Sequence, residues 1–265
     1  MLTQQQKKTF AKQGYLQIPG AVPQLMIEAA RRKVYHSIGN VGIGGENLEK
    51  HRSGYFCAEL MSDETITDMY NKTPVMQIAE DLMGEGKVQL VERAKTYPRF
   101  PLPLGEEPDD PRGHIDGIGN GTNGQAKGKY SRGFTAFAVV YLQDVDGPYS
   151  GNFTVWPRTH TLFEDYFKRN GGHEILADGM PRPELPEAPI MVTGKAGDLV
   201  IAHHAILHGA CQNASANVRL ATITRLRHVD VEENGAEAYL DIWREWDGVR
   251  EVLEEEETEE IDLKV

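Results

Sequence analysis

The sequence predicts an all-β core, either a sandwich or a barrel, flanked by helices at both ends. Short apolar strands separated by Gly, Pro and Asn fill the middle of the chain, from residue 87 to residue 230. Helical periodicity dominates residues 1–86 and returns in residues 231–265, which include an acidic tail. The chain has 265 residues, of which 40% are hydrophobic, and it contains no internal repeat or linker. We therefore expect residues 1–265 to form a single α+β domain.

The N-terminal segment is expected to contain four helices and one short strand. Thr3 can cap a first helix that Gly14 ends, and Pro23 lies near the start of the second helix. Residues 38–54 are rich in Gly and polar side chains and have no periodicity, which predicts a loop. The predicted elements are helices at residues 3–13, 23–37, 63–71 and 74–84, and a strand at residues 15–19.

The core segment shows the composition and alternation that are typical of strands. The predicted strands are residues 88–94, 134–142, 152–156, 190–192, 198–202 and 220–226. After them, residues 236–253 are predicted to be helical. Seven of the ten residues 251–260 are acidic, which predicts a solvated and frayed tail.

Charge and cysteine content restrict the classes of function. The net charge is −12 and the sequence shows no cluster of Lys and Arg, so neither nucleic acid nor an anionic membrane surface is an expected partner. Cys57 and Cys211 have no CxxC spacing, which favours a reducing compartment. The polar N-terminus lacks a signal-peptide core, and no apolar run approaches the about 20 residues that span a bilayer. We expect a soluble cytoplasmic protein that acts on a small molecule, with its oligomeric state left open.

A His-Ile-Asp triplet at residues 114–116 is the first candidate for a metal site. Residues i and i+2 of a strand point to the same side, so His114 and Asp116 can converge on one ion. Two histidines and one carboxylate on one face of an octahedral iron(II) leave three positions open, enough for a bidentate 2-oxo acid and dioxygen. A second triplet, at residues 228–230, is a weaker candidate because no histidine follows it and no strand contains it.

The third ligand is expected between Gly197 and Arg219. One strand ends near His204, the next carries His208, and a polar turn precedes a strand that begins at Arg219. The sequence therefore predicts that His208 and Arg219 lie on adjacent strands facing one interior. A guanidinium placed there suits the far carboxylate of a dicarboxylic 2-oxo acid.

Other histidines and arginines near these positions are expected to have structural or surface roles. His203 and His204 compete with His208, and we expect them to pack or hydrogen-bond beside the ligands. His160 is expected to be structural. Arg225 and Arg227 have the character of surface residues.

The sequence resembles the phytanoyl-CoA dioxygenase (PhyH-like) family from about residue 3 to residue 246. The specific part of the resemblance is the distal segment, in which eleven positions separate the histidine from the arginine. The matching features are His114 and Asp116, residues 151–160, residues 197–219 with His208 and Arg219, and the opening at residues 13–19.

The resemblance implies a double-stranded β-helix, or jelly roll, and an oxygenase that uses iron(II), 2-oxoglutarate and dioxygen. It also implies that His114, Asp116 and His208 bind the metal and that Arg219 binds the far carboxylate of 2-oxoglutarate. The implied reaction oxidises an unactivated C–H bond of a small metabolite, usually by hydroxylation, and releases succinate and carbon dioxide. Because Asp116 is present, hydroxylation is favoured over halogenation, for which enzymes of this superfamily have a small residue at that position.

Two departures from the family pattern affect no expected ligand. Ala210 stands where Ser often follows the distal His-Gly pair, which puts one hydrogen bond to the cosubstrate in doubt, and Pro-Arg-Thr-His at residues 157–160 replaces Pro-Gly-Ser-His. Thr135, Gln89 and Arg99 lie on strands that are predicted to line the same barrel. These three residues are further candidate ligands of 2-oxoglutarate or substrate.

The substrate and two rival functions stay open. Pocket loops are expected at residues 38–56, 101–111, 117–133 and 165–190. The glycine-rich residues 117–124 are predicted to form a lid over the metal, because no βαβ unit surrounds them as a nucleotide site requires. The rivals are a non-catalytic metal-binding β-barrel and a cupin-like isomerase or hydrolase that uses zinc or manganese. A simple metal barrel has no need of an arginine at position 219.

Overall fold

The computed structural model describes residues 1–41, 54–118, 132–172 and 182–262, with side chains described up to residue 255. The helices are α1 (Gln4–Gln13), α2 (Gln24–Val41), α3 (Glu64–Asn71), α4 (Pro74–Met83), α5 (Thr159–Arg169), α6 (Val231–Asn234) and α7 (Asp247–Asp262). The strands are β1 (Tyr15–Ile18), β2 (Lys95–Arg99), β3 (Ala136–Tyr141), β4 (Phe153–Val155), β5 (Ile190–Met191), β6 (Leu199–His203), β7 (His208–Ala210) and β8 (Arg219–Leu226). Two 3₁₀ segments lie at Ala58–Leu60 and Gly235–Tyr239.

The first helix begins and ends at the predicted capping residues. The backbone N–H of Gln6 donates to the Thr3 hydroxyl, and the backbone N–H of Thr3 donates to the Gln6 side chain. Gly14 ends the helix with a φ of +79°, and a Cβ at this position would lie 2.5 Å from the ring of His160. Glycine therefore satisfies both the left-handed turn and the close contact that lead the chain into β1.

The strands form two antiparallel sheets. The larger sheet has the order β1-β6-β3-β8-β2, and the smaller has the order β5-β4-β7. The central strand β3 pairs with β6 on one side and β8 on the other. Strand β2 lies at an edge of the larger sheet, where Pro98 is tolerated because an edge strand can lack one donor.

The two faces of β3 belong to two different cores. Ala136, Ala138 and Val140 pack with the N-terminal helices and α7, whereas Phe137, Val139 and Tyr141 pack with residues of the smaller sheet. A strand buried on both faces has a continuous apolar run instead of an alternating one. The helices thus cover one face of the larger sheet, and its other face encloses an interior with the smaller sheet.

Most of the predicted helices and strands are confirmed within a few residues of their predicted bounds. Helix α5 is an addition that the sequence did not predict, and its Phe163 and Phe167 form a third core with Tyr239 and Ile242. The predicted loop at residues 38–54 is a continuation of α2 as far as Val41, and residues 42–53 lie outside the described residues. Of the lid predicted at residues 117–124, residues 119–124 also lie outside them.

The predicted strand at residues 88–94 is wrong. The backbone of Val91 is bonded to a side chain: its N–H donates to Asn71 Oδ1 at 2.8 Å, and Asn71 Nδ2 donates to its carbonyl at 2.9 Å. These bonds replace a strand ladder at that point. Pairing with β8 begins only at Lys95.

The predicted continuous helix at residues 236–253 is also wrong. A 3₁₀ segment and turns precede α7, which begins at Asp247. The carbonyl of Ile242 accepts a hydrogen bond from His203 Nε2, and its N–H donates to Glu164. Bonds to other elements therefore take the place of helical ones. The backbone of the acidic segment is helical as far as Asp262 instead of frayed, and none of the described helices is long and apolar enough to cross a membrane.

Candidate active site

The three side chains that were predicted to bind a metal converge between the sheets. His114, Asp116 and His208 each offer one ligand atom, and these atoms all lie within 4.8 Å of one another. The ring centroids of the two histidines are 4.6 Å apart, and His114 Nε2 lies 3.0 Å from Asp116 Oδ1. In the described part of the chain, no other set of three or more His, Cys, Asp or Glu residues meets this spacing.

Backbone pairing brings the two histidines together. The N–H of His114 donates to the carbonyl of His208 at 2.9 Å, and the reciprocal bond is 3.0 Å long. Glycines make this approach feasible, because a Cβ on Gly113 would lie 2.7 Å from Leu207 and one on Gly209 would overlap a backbone carbonyl oxygen. The spacing of the ligands therefore depends on small residues beside them.

His208 presents one ring nitrogen to the candidate metal position. Its Nδ1 lies 3.1 Å from the carbonyl of Ile206, which can only accept, so Nδ1 carries the proton and Nε2 keeps its lone pair. Burial, together with the neighbouring His114, lowers the pKa of His208 to about 4. The imidazole is therefore neutral at neutral pH, which is the form that binds a metal ion.

Asp116 is held as an ionised carboxylate. Burial alone would raise its pKa, but the hydrogen bond from His114 and the charge of Arg225 lower the pKa below its usual range. Arg225 donates to Oδ2 of Asp116, and the hydroxyl of Tyr239 donates to the Asp116 backbone carbonyl at 3.0 Å. Three neighbours thus orient the residue.

Arg219 faces the triad from the opposite sheet. It begins β8 of the larger sheet, whereas His208 begins β7 of the smaller sheet, so the prediction that the two lie on adjacent strands is wrong. They nevertheless line the same interior, because the two sheets face each other. The sequence pattern indicated the shared interior but not the sheet to which each strand belongs.

A pair of buried guanidiniums lies at the Arg219 end of this interior. Arg219 donates from Nε to the Gly151 carbonyl at 2.6 Å and from Nη1 to the Tyr97 carbonyl at 3.2 Å. Burial and the charge of Arg99 lower the pKa of Arg219 to about 9. Arg99 is its cross-strand partner, and among the described atoms its buried Nη1 has no hydrogen-bond partner. Such unused donors favour the binding of an anionic group.

Gly151 provides the space for this arginine pair. Its φ is +70°, and a Cβ there would lie 2.7 Å from the Cβ of Arg99 and 3.4 Å from that of Arg219. The backbone carbonyl of the same residue accepts from Arg219 Nε. Close approach of the Gly151 backbone therefore fixes the direction of the Arg219 guanidinium.

A cavity of about 1060 Å³ joins the triad to the arginine pair. Apolar side chains also line it, among them Phe137, Val139, Phe153 and Ile223. The ring centroid of Phe137 lies 4.2 Å from that of His208. This volume and mixture of apolar walls with a few polar groups suit a small-molecule site.

Two further candidate ligands lie elsewhere. Gln89 lines the cavity, but at its opposite end, where its N–H donates to the Arg227 carbonyl and its side chain donates to the His228 carbonyl. Thr135 is not among the residues that line the cavity; its hydroxyl donates to Glu245 and accepts from the N–H of His228. The structure thus places Thr135 outside the candidate site.

Three other histidines are buried away from the cavity. His203 Nε2 donates to the Ile242 carbonyl, and His160 Nε2 donates to the Ala11 carbonyl. His204 is buried with them, its ring centroid 4.2 Å from that of His203. None of these residues lines the cavity.

Sequence reasoning missed several residues of the cavity wall. Arg225, interpreted from the sequence as a surface residue, contacts Asp116. Lys95 and Tyr97 line the cavity together with Arg99, because residues two apart on β2 share a face. The alternation was visible in the sequence, but only the pairing of β2 with β8 shows which face points inward.

Comparison with protein-family models found no match, and comparison with curated protein sequences found no significant one. Among solved structures, HygX from Streptomyces hygroscopicus, crystallised with nickel and 2-oxoglutarate bound, is 18% identical with a TM-score of 0.54. The alignment covers 86% of this chain and 88% of HygX. The non-heme alpha ketoglutarate dependent epimerase SnoN from nogalamycin biosynthesis is also 18% identical with a TM-score of 0.54, covering 83% of this chain and 79% of SnoN. At this identity the likenesses show a shared fold.

Proposed function

We propose that this chain is an iron(II)- and 2-oxoglutarate-dependent oxygenase that hydroxylates a small molecule. The observation that carries the proposal is that one cavity holds a two-histidine, one-carboxylate triad and a buried arginine pair with an unused donor. The shared fold supports it, since HygX was crystallised with 2-oxoglutarate and SnoN is described as dependent on it. We further propose a double-stranded β-helix fold and a relation to the phytanoyl-CoA dioxygenase family.

The residues present fit both groups. Iron(II) in oxygenases takes two imidazoles and one carboxylate on one face, and His114, Asp116 and His208 offer that donor set. A guanidinium fork matches a carboxylate in geometry and charge, and Arg219 and Arg99 offer two such forks. The far carboxylate of 2-oxoglutarate would supply the anion that this pair lacks among the described residues.

The residues of the chain would bind and orient the metal and the cosubstrate, and they would exclude water. Iron(II) bound at the triad would supply the oxidative chemistry, in which 2-oxoglutarate, dioxygen and a C–H substrate become succinate, carbon dioxide and an alcohol. Arg219 and Arg99 direct the 2-oxo end of the cosubstrate toward the triad. The Ile206 carbonyl keeps His208 Nε2 free for the metal, and Phe137 covers the His208 ring against water.

The proposal is tested by anaerobic titration of the iron(II)-loaded chain with 2-oxoglutarate, followed by visible absorption. We expect the metal-to-ligand charge-transfer band of a chelated 2-oxo acid. His208→Ala should abolish the band, whereas His228→Ala, in the competing triplet outside the cavity, should leave it. Arg219→Ala should keep the band but require at least about tenfold more 2-oxoglutarate, because a charge-assisted bond is lost.

Other outcomes point to the rivals. Bound iron without a band would remove the cosubstrate assignment and favour a metal-binding barrel or a cupin-like enzyme that uses zinc or manganese. A band that survives His208→Ala but disappears in His228→Ala would move the metal site to the second triplet. Either result would overturn the proposal.

A further inference from the structure

The cavity is far more basic than the chain as a whole. The full sequence has 40 acidic and 28 basic residues, yet six Lys or Arg and only two Asp or Glu line the cavity. Two of the six are the inner pair, Arg219 and Arg99. The other four are Arg93, Lys95, Arg225 and Arg227, and we call them the outer cations.

Strand geometry separates the outer cations from the inner pair. On β2, Lys95 and Arg99 share a face and are separated by Tyr97. On β8, Arg219 and Arg225 are six residues apart, which places their Cα atoms about 20 Å from each other. The two ends of the cavity therefore present separate groups of cations.

Two of the outer cations have carboxylate partners and two do not. Arg225 pairs with Asp116, and Arg227 pairs with Glu232. Within the described residues, neither Arg93 nor Lys95 forms an ion pair. Burial, followed by the charge of Arg225, lowers the pKa of Lys95, and the charge of Asp116 only partly opposes this shift.

An aromatic wall lies beside Lys95. Lys95 Nζ lies 4.9 Å from the ring centroid of Tyr55, and the rings of Tyr55 and Tyr97 meet edge to face with centroids 6.4 Å apart. Ile223 is the cross-strand partner of Lys95 and also lines the cavity. A ligand can therefore place an anionic group on the cations and its carbon skeleton along the two tyrosines.

We infer that the substrate is a small organic anion whose carboxylate or phosphate group binds Lys95 and Arg93 at the outer end of the cavity. Its carbon skeleton lies along Tyr97 and Ile223 and extends toward the triad. This inference names the substrate class of the proposed oxygenase, so it rests on the proposed function. The anion site itself depends only on the residues of the outer end.

The test uses matched benzene derivatives and isothermal titration calorimetry on the full chain in EDTA. Benzoate and phenyl phosphate carry the two candidate anions, and benzamide is the neutral counterpart of benzoate. We expect the preferred anion to bind at least about tenfold more tightly than benzamide, because charge complementarity decides between them. The comparison of benzoate with phenyl phosphate shows which anion the site prefers.

Variants locate the bound anion. The double variant R93Q/K95Q should weaken its binding at least about tenfold, whereas K168Q/R169Q should change it less than about twofold. The control pair lies on α5, outside the cavity, and its substitution changes the net charge by the same amount. The conservative variant R93K/K95R should retain binding, which separates loss of charge from loss of folding.

Three results would overturn the inference. These are equal binding of benzamide and the anions, no binding of any probe, and loss of anion binding in R219Q with retention in R93Q/K95Q. The last would place the anion on the inner pair. A wild-type chain that binds the anion through Lys95 and Arg93 but shows no charge-transfer band would contradict the proposed function and leave the anion site in place.

Discussion

Arg225 donates from Nη2 to Asp116 Oδ2, while Asp116 Oδ1 lies 3.0 Å from His114 Nε2. The contact ties the candidate metal ligand to β8, which is itself held between β3 and β2. In the segment that leads to Asp116, His114 forms a β-bridge with His208 of β7. The larger sheet, through Arg225, thus helps to orient a carboxylate whose own segment pairs with the smaller sheet.

Replacing Arg225 by Gln should weaken metal binding about 10- to 100-fold, because loss of an orienting hydrogen bond misplaces the ligand. Cobalt(II) titration calorimetry measures the affinity. Arg227→Gln is the matched control, since Arg227 also lines the cavity but pairs with Glu232. If R225Q binds the metal more tightly instead, charge repulsion between the guanidinium and the ion outweighs orientation.

Acidification should destabilise the metal-free chain through buried histidines. Burial lowers the pKa values of His208 and His160 to about 4 from an ordinary 6.5. Between pH 4 and pH 6.5, each of these histidines binds a proton in the unfolded chain but not in the folded chain. The free energy of unfolding therefore rises with pH through this window, and the stabilisation is lost as the pH falls from 6.5 toward 4.

Lowering the pH from 7 to 5 should reduce the free energy of unfolding by about 2 kcal/mol for each of the two histidines. Urea unfolding in EDTA at the two pH values measures the difference. His160→Gln keeps a donor for the Ala11 carbonyl. It should reduce the difference in unfolding free energy between the two pH values by about 2 kcal/mol, the contribution of one histidine. An equal free energy of unfolding at both pH values would contradict the predicted linkage.

Local signals explain why much of the fold could be predicted. Thr3 and Gly14 mark the ends of α1 through backbone bonds within a few residues, and the predicted start of β8 at Arg219 is confirmed. Such signals require no knowledge of distant partners. In α5, Phe163 and Phe167 have the i, i+4 spacing of a buried helix face, so the sequence contained a signal for the element that was missed.

Distant pairing explains what could not be predicted. Val91 has the alternation of a strand residue, but Asn71 satisfies its backbone, and only the folded chain brings the two together. Likewise Arg225 and Lys95 look like solvated charges, and only the pairing of β2 with β8 places both beside the cavity. The ligand types of the site could be read from the sequence, whereas its basic outer end required the topology.

The buried pair of Arg132 and Glu245 should be essential for stability but not for metal binding. Their side chains are 0% and 1% exposed, and Glu245 also accepts from Thr135 and Asn234. Glu245→Ala leaves a buried guanidinium without its carboxylate and should cost about 3–5 kcal/mol. Urea unfolding measures the loss.

Asp165→Ala is the control for this variant, because Asp165 pairs with Arg169 at the surface and should contribute little. The metal affinity of E245A, measured below its unfolding transition, should equal that of the wild type, since Glu245 does not line the cavity. A loss of less than about 1 kcal/mol would show that Arg132 finds another partner.

Gly209→Ala should weaken metal binding in a chain that still folds. A Cβ at position 209 would overlap the carbonyl oxygen of Arg112, so the segment that carries His114 must move away from β7. The two backbone bonds between His114 and His208 would lengthen, and the ligands would separate. We expect a cost of about 1–3 kcal/mol in stability and at least about tenfold in cobalt(II) affinity, because a metal site tolerates only about 0.5 Å of misplacement.

Gly147→Ala controls for the loss of glycine itself, because a Cβ at Gly147 meets nothing within 4 Å. It should alter neither stability nor cobalt(II) affinity beyond the error of measurement. Unchanged metal affinity in a folded G209A would mean that His114 reaches the metal without the backbone pairing. The spacing of the triad would then depend on the side chains around Asp116, with Arg225 first among them, instead of on the close approach at Gly209.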